Sequence, residues 1–375
     1  MSNKLAITIA SKGYKNILKP LLFKINPEIV HERMTGFGEF LGRSAIMKML
    51  CDSLLTEKYP ILQQNIDGID FKTPVGLSAG FDYDARLTQI LPHIGFGFQS
   101  VGTISRSPYS GNPGHILGRL PKSRSLMVNK GFKNKGVQKI SESLTGKHFD
   151  IPVGISIGRT NSTQLKTHDE CIADILGSFI ICENSQVNHS YYELNISCPN
   201  LLTPVSFYDP TALNKLLRQL EILSIQKSLF IKMPIECDDR TIISLLSVIS
   251  DHKVKGVIFG NLQKDRRDPS LVPSEVSKFK SGNFSGKPTE QRSNELIQLA
   301  HKSFGNRFTI IGVGGIFSAE DAYKKIKLGA NLVQLITGMI FEGPQLIAEI
   351  NEGINKLLIA DGYTHISQAV GTESR

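Results

Sequence analysis

The chain has 375 residues, of which 40% are hydrophobic, and its 43 lysines and arginines exceed its 34 acidic residues, giving a formal net charge of +9. Its mean hydropathy of −0.08 is typical of a soluble globular protein, and no apolar run approaches the roughly 18 residues that a membrane span needs. Five scattered cysteines without a CxxC pair predict neither a disulfide framework nor a zinc site, so we expect a reducing compartment and no bound metal.

Positive charge is concentrated in two stretches of the chain. Residues 1–50 hold eight lysines and arginines against three glutamates, and residues 118–135 hold six with no acidic residue. Such clusters suit anionic ligands or anionic lipid, or they form a solvated surface. Because neither stretch carries a recognised nucleic-acid-binding motif, we expect no nucleic-acid partner.

Residues 1–65 differ from the rest of the chain and predict a short helical extension. Apolar residues 17, 18 and 21–23 form a stripe with helical spacing, and lysines 15, 19 and 24 lie beside it. Asn26-Pro27-Glu28 predicts the start of a second helix. Two interpretations stay open: the basic amphipathic helices lie in a membrane interface, or they simply pack on the main domain.

From residue 66 to residue 375, short β-branched or glycine-containing runs alternate with helical patterns. Eight strands, each followed by a helix, predict an α/β fold, a (β/α)8 TIM barrel with right-handed connections. The predicted strands are 75–79, 98–102, 153–157, 191–196, 229–233, 256–259, 308–313 and 332–336. The predicted helices are 84–91, 135–144, 169–181, 210–225, 241–251, 289–300, 319–328 and 344–358. The longer connection 262–288 predicts an active-site lid or an extra hairpin.

Glycines and polar groups follow the predicted strands, at the end of a barrel where catalytic groups lie. The glycine-rich turn 312–315 leads into a helix that Ser318 caps, and Thr337-Gly338 follow the next strand. Both patterns favour a bound phosphate group. Lys232 ends the fifth predicted strand, where a lysine is costly to bury without an anionic partner. Together these features suit a phosphorylated flavin.

The polar stretch after the fourth strand, residues 193–200, is the candidate catalytic segment. Asn195 and Asn200 offer amides that donate and accept hydrogen bonds, and Cys198 is a thiol that can take a proton if its pKa is lowered. Pro199 stiffens the turn. These groups suit a site that holds a small heterocycle and removes one of its protons. The alternative is a strand end with an inert buried cysteine.

Several stretches together resemble the dihydroorotate dehydrogenases and, over nearly the whole chain, their membrane-associated, quinone-using class. They are residues 23–31, 76–82, 102–103, 131–132 with Asn134 and 136–137, 195–200, 285–288 and 310–316. The resemblance implies an FMN-containing barrel that oxidises (S)-dihydroorotate to orotate in de novo pyrimidine (UMP) biosynthesis. It also implies electron transfer to quinone through a tunnel under the N-terminal helices, and a peripheral location on the cytoplasmic face of the cell membrane, with a cytoplasmic location as the alternative.

The resemblance assigns roles to individual residues of this sequence. Cys198 stands at the position of the general base, which takes the C5 proton while hydride leaves C6 for the flavin. FMN would contact Ala79, Gly80, Thr103, Ser156, Asn195, Lys232, Gly286, Gly315 and Thr337. The pyrimidine would be held by Asn195, Asn200 and Asn261, with Gly131 and Phe132 lining the pocket. Asn129 and Lys130 of the same loop are further substrate-binding candidates that this chain's own residues suggest. The quinone tunnel would be lined by His31 and Arg119.

The chain also departs from the family's pattern. The quinone-using members usually have serine as the base, whereas this chain has the cysteine of the soluble classes. Tyr83 replaces a lysine that lies near the flavin and the substrate carboxylate, and Val128 falls where a substrate-binding asparagine is expected unless Asn129 takes its place. Lys130 and Lys133 are unusual in that loop, and we expect them to supply the missing positive charge.

The leading prediction is therefore an FMN-dependent dihydroorotate dehydrogenase that reduces quinone. One alternative is a related flavin oxidoreductase that acts on another dihydropyrimidine or cyclic amide, or uses a soluble acceptor. A non-enzymatic alternative is a barrel that binds FMN without turnover. The retention of Cys198 together with Asn195, Asn200 and Lys232 favours an enzyme.

Overall fold

The computed structural model describes residues 3–374, and its centre is a closed barrel of parallel strands. Each strand pairs in parallel with the next, and the last pairs with the first. The strands are β1 (Val75–Leu77), β2 (Phe98–Ile104), β3 (Val153–Ile157), β4 (Tyr191–Asn195), β5 (Ser228–Met233), β6 (Gly256–Phe259), β7 (Thr309–Val313) and β8 (Leu332–Leu335). The predicted TIM barrel is confirmed, with all eight strands where the sequence predicts them.

Three helices precede the barrel: α1 (Asn3–Gly13), α2 (Pro27–Gly42) and α3 (Ala45–Leu55). The first of them continues through a π-helical turn, Tyr14–Leu18, into the short helix Lys19–Leu22. The second begins where the sequence predicts, because the Asn26 side chain accepts a hydrogen bond from the Glu28 backbone N–H at 2.8 Å. Most of the described residues before residue 56 are therefore helical, and their assignment as a separate extension stays a prediction.

A short antiparallel hairpin, Gln64–Ile66 with Ile69–Phe71, connects these helices to the barrel. The Phe71 ring packs edge-on against Phe98 at the start of β2, with centroids 5.3 Å apart, and joins the apolar cluster inside the barrel. The hairpin thus closes the amino-terminal end of the barrel. The predicted domain boundary between residues 65 and 66 falls inside this hairpin.

Helices cover the outside of the barrel. They are α4 (Val137–Leu144), α5 (His168–Asn184), α6 (Pro210–Leu223), α7 (Asp239–Ser250), α8 (Glu290–Phe304), α9 (Ala319–Lys327), α10 (Thr337–Glu342) and α11 (Leu346–Ala360). Seven predicted helices are confirmed by α4–α9 and α11. Helix α10 was not predicted, because its six residues are too few to show a helical period.

The helix predicted over residues 84–91 is wrong. That stretch is a loop followed by a 3-10 turn, Leu91–Ile94. The buried Asp82 carboxylate accepts hydrogen bonds from the backbone N–H groups of Arg86 at 2.7 Å and Leu87 at 2.9 Å. Ala85 has a φ of 58°, a left-handed conformation that a right-handed helix excludes. A side chain that binds the backbone therefore overrides the local helical pattern.

A three-stranded antiparallel sheet lies at the carboxyl end of the barrel. It pairs Ser125–Val128 with Leu117–Leu120 on one side and with Asn283–Gly286 on the other. The last strand comes from the long connection 262–288, which also contains the helical turn Pro273–Val276. This sheet and helix α2 both contribute to the wall of the cavity described next.

Candidate active site

The carboxyl ends of the barrel strands surround a cavity of about 1170 Å³, its open mouth included. Three lysine side chains line it, those of Lys130, Lys133 and Lys232, together with the imidazole of His31. No carboxylate is among its lining residues in the described part of the chain. A cavity with this charge favours an anionic occupant.

Most of the predicted site residues meet in this cavity. Those that line it are Ala79, Gly80, Thr103, Asn195, Lys232, Gly286, Gly315, Thr337, Lys130, Gly131, Phe132, Asn200, Asn261, Cys198 and His31. They come from segments that are far apart in the sequence, and the parallel register of the strands brings them to one end of the barrel.

Two predicted contacts, Ser156 and Asn129, lie behind the cavity wall. The Ser156 hydroxyl is 3.0 Å from the Thr103 hydroxyl, so it positions a lining residue. The Asn129 side chain accepts a hydrogen bond from Asn112 Nδ2 at 3.0 Å. Both side chains therefore support residues of the site in this conformation, and their direct contact with a ligand stays a prediction.

The third predicted residue outside the cavity lining, Arg119, is bound to the N-terminal extension. Its Nη1 donates to the backbone carbonyl of Ile25 at 2.6 Å, and its guanidinium lies 4.7 Å from the centroid of the Phe23 ring. Phe23 in turn packs edge-on against Phe341 of α10, with ring centroids 5.4 Å apart. Arg119 thus helps to hold the extension over the barrel mouth.

Glycines and hydroxyl groups after β7 and β8 form one end of the cavity. Gly314 and Gly315 have φ values of 107° and 70°, conformations that favour glycine. The Ser285 and Thr337 hydroxyls are 2.8 Å apart, and Thr337 starts the short helix α10. In barrels of this kind, turns after the last two strands and the start of a short extra helix often hold a phosphate group.

Lys232 lies at the floor of the cavity, beside Asn195 in the register of β4 and β5. Its ammonium donates to the Ser78 hydroxyl at 3.2 Å, and its side chain is 5% exposed. Burial lowers the pKa of Lys232, while the charge of Glu193 acts against this shift. Glu193 is fully buried and accepts a hydrogen bond from Gln334 Nε2 at 3.0 Å. The lysine is therefore placed to face the ligand side of the barrel.

The loop that carries Cys198 is fixed by its neighbouring amides. The Asn195 amide oxygen accepts hydrogen bonds from the Ser197 N–H and hydroxyl, both at 3.1 Å, and Asn261 Nδ2 donates to the Ser197 carbonyl at 2.8 Å. Asn200 Nδ2 donates to the Val128 carbonyl at 3.1 Å. The three asparagines thus hold the loop and still border the cavity.

The Cys198 thiol is half-buried, and burial raises its pKa to about 11. The Asn200 backbone N–H and the charges of Arg159 and Lys232 act in the opposite direction, and Glu236 adds to the increase. The group is therefore mostly a neutral thiol near pH 7. A role as proton acceptor requires its minor thiolate form.

The loop after Val128 supplies the cations that were predicted. The Lys130 ammonium lies 4.6 Å from the centroid of the Tyr83 ring, and that ring stacks on His31 with centroids 5.3 Å apart. Burial lowers the pKa of Lys130 to about 8 and that of His31 to about 3, with the nearby lysine charges adding to the effect. Near pH 7 the lysine is charged and the histidine is neutral.

Asn112 is a structural centre of the site that the sequence analysis missed. Its side chain accepts hydrogen bonds from the Tyr109 hydroxyl at 2.6 Å and from Asn161 Nδ2 at 3.0 Å. It donates to Asn129 and to the Asn200 carbonyl. An asparagine in a loop rich in glycine and proline is usually a turn residue. The residues around Asn112 therefore do not indicate that its side chain connects several loops of the site.

Comparisons with known proteins agree with this geometry. A sequence model of the family described as Dihydroorotate dehydrogenase matches residues 61–358. A protein of Acaryochloris marina, named dihydroorotate dehydrogenase (quinone), is 33% identical over 380 residues, covering 96% of this chain and 99% of that protein. A protein of Christiangramia forsetii with the same name is 34% identical over 349 residues, covering 91% and 98%.

A solved structure has the same fold. The crystal structure of the Eimeria tenella DHODH in complex with ferulenol superposes with a TM-score of 0.78 at 24% sequence identity, covering 93% of this chain and 96% of that one. The family match and the two relatives lead to one conclusion: this chain belongs to the dihydroorotate dehydrogenase family.

Proposed function

We propose that this protein is an FMN-dependent oxidoreductase that converts (S)-dihydroorotate to orotate, a step of de novo pyrimidine (UMP) biosynthesis, and passes the electrons to a quinone. The observation that carries the proposal is that Cys198, three asparagine amides and several cations line one cavity, and that no carboxylate of residues 3–374 lines it. Membership of the family and the names of the relatives support it.

The residues of the cavity fit FMN. A Cβ at Gly80 would meet no atom nearer than 3.7 Å, so this glycine leaves room for a flat ring above β1. The turn at Gly314 and Gly315 and the Thr337 hydroxyl suit the phosphate group. Lys232 suits the polar edge of the flavin ring, where a cation stabilises negative charge. When bound, FMN supplies the acceptor for the electron pair that leaves the substrate.

The remaining wall of the cavity fits a pyrimidine ring. Asn195, Asn200 and Asn261 keep unused amide donors or acceptors after their internal hydrogen bonds, because each amide has two donors and two acceptor positions. Cys198 borders the same space and would take the C5 proton on its sulfur. The loop hydrogen bonds keep the sulfur in place, which general base catalysis requires.

The charges favour dihydroorotate over a neutral dihydropyrimidine. Lys130 and Lys133 both line the cavity, in the loop where Val128 stands in place of the family's asparagine. The Lys130 ammonium also lies 4.6 Å from the centroid of the Tyr83 ring, which replaces the family's lysine. A charge-assisted hydrogen bond to a carboxylate contributes on the order of 1.5–3 kcal/mol. We therefore assign these two lysines to the substrate carboxylate and keep a neutral cyclic amide as the second candidate substrate.

The N-terminal extension fits a membrane surface and a quinone. Within the described residues, most of the exposed large apolar side chains belong to this extension; they are Leu5, Ile9, Ile17, Leu18, Leu21, Ile25, Ile29, Met34, Phe37, Phe40, Ile46, Met47, Met49, Leu50 and Leu54. None of the helices in residues 3–374 has the length and hydropathy to cross a bilayer. A surface of this kind lies in the lipid interface, and lysines such as Lys19 and Lys48 suit anionic lipid.

His31 connects the extension to the cavity. It belongs to helix α2, lines the cavity, and lies 2.9 Å from the Phe81 carbonyl through Nε2. We infer that quinone enters between the extension and the barrel at this point, and that the protein acts at the cytoplasmic face of the cell membrane as a peripheral enzyme.

The test is an assay of the purified protein with its cofactor identified. We expect mass spectrometry to find FMN in the heat-released fraction, and we expect dihydroorotate with a short-chain quinone to yield orotate by its ultraviolet absorbance. Dihydrouracil, which lacks the carboxylate, is the control substrate. Bound FMN with turnover of dihydrouracil alone would favour the neutral substrate, and bound FMN with no turnover of either would contradict the enzymatic proposal.

A further inference from the structure

A second cavity lies on the other side of the loop that carries Cys198. It has a volume of about 630 Å³, its open mouth included, and Arg159, Tyr208 and Lys264 line it. Cys198 and Asn195 border both this second cavity and the first. The thiol therefore lies between two spaces, of which the proposed function uses only one.

Arg159 is the charged group of the second cavity that is most deeply buried. It follows β3, which pairs in parallel with β4, and the loop after β4 carries Cys198. Its side chain is 3% exposed, its Nη2 donates to the Thr203 carbonyl at 2.7 Å, and its Nη1 is buried without a hydrogen-bond partner in the described structure. An incompletely bonded buried cation is costly, so an anion is expected nearby.

The nearby carboxylates are already bound by other groups. Asp174 accepts hydrogen bonds from the Thr160 backbone N–H at 2.6 Å and from the Thr160 hydroxyl at 2.8 Å. Glu236 forms an ion pair with Lys264 at 2.5 Å. Two thiols near Arg159, those of Cys171 and Cys198, become anions by losing a proton, and both are electrostatically coupled to it. Of the two, only Cys198 lines the second cavity together with Arg159 and also borders the first.

We propose that Arg159 is a positioning residue that stabilises the thiolate form of Cys198 from the second cavity, on the side away from the substrate. The hydrogen bond to Thr203 ties the guanidinium to the loop that carries the thiol. A cation beside a thiol increases its thiolate fraction at neutral pH. The thiolate is the form that can take a proton onto sulfur.

The other charges around Cys198 explain why a second cation is needed. Lys232 lies in the first cavity, where its charge serves the proposed flavin site. Glu236 disfavours the thiolate, and the Tyr208 hydroxyl donates to Glu236 at 3.0 Å. Arg159 belongs to neither the flavin site nor the Glu236 pair, so its charge remains available to the sulfur.

The experiment measures the thiolate directly in the holoenzyme without substrate. We expect Arg159→Gln, which removes the charge but keeps an N–H donor for Thr203, to slow iodoacetamide alkylation of Cys198 at pH 8 by about threefold. A tenfold smaller thiolate fraction is partly offset by higher intrinsic nucleophilicity. Mass spectrometry of the Cys198 peptide separates this signal from the other cysteines. Arg159→Lys should recover most of the rate.

A matched control is Arg307→Gln, because Arg307 also donates to several backbone carbonyls, those of Ser250, His252 and Val254, away from both cavities. This variant should alkylate at the wild-type rate. If Arg159→Gln fails to fold, Leu201→Glu tests the same idea, since Leu201 lines the second cavity and a carboxylate there would neutralise Arg159. It should slow alkylation relative to Leu201→Gln.

An unchanged alkylation rate in folded Arg159→Gln, or in Leu201→Glu, would overturn the proposal. The catalytic role of Arg159 rests on the proposed function, in which Cys198 is the base. The alkylation assay needs neither dihydroorotate nor turnover, so it tests the effect of Arg159 on the thiolate separately. The same variant should also lose flavin reduction by dihydroorotate at pH 7 and regain it as the pH is raised. Slower alkylation without any reduction of the wild-type flavin by dihydroorotate would therefore uphold the role of Arg159 and reject the substrate.

Discussion

The barrel mouth and the N-terminal extension differ in which side chains they bury and which they expose. In the cavity, polar groups are buried and hydrogen-bonded; Asn195 is 8% exposed and Lys232 is 5% exposed. In the extension, apolar groups are exposed; Phe40 is 62% exposed and Met49 is 67% exposed. The difference indicates two separate functions. The cavity holds its polar groups in a fixed geometry that suits catalysis, and the extension exposes an apolar surface that suits association with a partner or a membrane.

Both apolar and polar contacts connect the two regions: Leu41 and Cys51 pack against the apolar core of the barrel, and partly exposed ion pairs add to them. Arg86 forms ion pairs with Glu32 at 2.5 Å and Glu39 at 2.7 Å, and Lys15 pairs with Glu342 at 2.8 Å. Such pairs contribute roughly 0–1 kcal/mol each. The ion pairs alone therefore add little to the attachment of the extension, which also depends on apolar contacts such as that of Phe23 with Phe341.

The largest expected effect comes from removing the thiol. Cys198→Ala should slow flavin reduction by dihydroorotate by about 10²–10⁴-fold, the usual contribution of a general base, while FMN stays bound. Stopped-flow absorbance of the flavin measures the rate. A wild-type rate in this variant would exclude Cys198 as the base. The cavity would then lack the proton acceptor that distinguishes it from the extension.

The pH dependence of the wild-type protein tests the same group without a mutation. Since the pKa of Cys198 is raised to about 11, its active thiolate fraction increases about tenfold for each unit between pH 6 and pH 9. We expect the rate of flavin reduction at saturating dihydroorotate to rise between pH 6 and pH 7.5, where Lys130, with a pKa of about 8, keeps most of its charge. A rate that falls as the pH rises would contradict a thiolate base.

Lys232→Met tests the cavity floor. Loss of one charge-assisted contact, on the order of 1.5–3 kcal/mol, should weaken FMN binding by about 10–100-fold, as measured by fluorescence of released flavin. Lys325→Met is the matched control, because Lys325 is also fully buried and donates to Ser293 and Asn294 outside the cavity. The control should lower thermal stability without changing FMN affinity.

The smallest expected effect tests the extension alone. Replacing both Phe37 and Phe40 with serine should reduce binding to vesicles that contain anionic lipid by about tenfold, because two exposed aromatic side chains no longer enter the interface. Flavin reduction by dihydroorotate should not change. Ile222→Ser, at a residue of α6 that is 74% exposed, is the control. Equal loss of vesicle binding in both proteins would contradict a specific membrane surface.

The sequence predicted the barrel well because its strand and helix periods agree with the tertiary packing at nearly every element. It failed at residues 84–91, where the Asp82 side chain binds the backbone and no local period records that contact. It also missed α10, which is too short to show a period.

The candidate site was predicted through residues whose chemistry is visible in the sequence. Cys198, Lys232 and the asparagines at strand ends carry such a signal, and the structure brings them to one cavity. Asn112 and Arg159 carried none, because their roles depend on which distant loops meet at the barrel mouth. The burial that raises the pKa of Cys198 is likewise a property of the folded chain.

The most direct test of the central claim is anaerobic mixing of the purified protein with dihydroorotate while the oxidised flavin band is recorded. The account predicts rapid bleaching by dihydroorotate, little bleaching by dihydrouracil, and reoxidation when a quinone is added. A flavin that stays oxidised with dihydroorotate, or that dihydrouracil bleaches equally fast, would contradict the assignment of Lys130 and Lys133 to the substrate carboxylate and with it the proposed substrate.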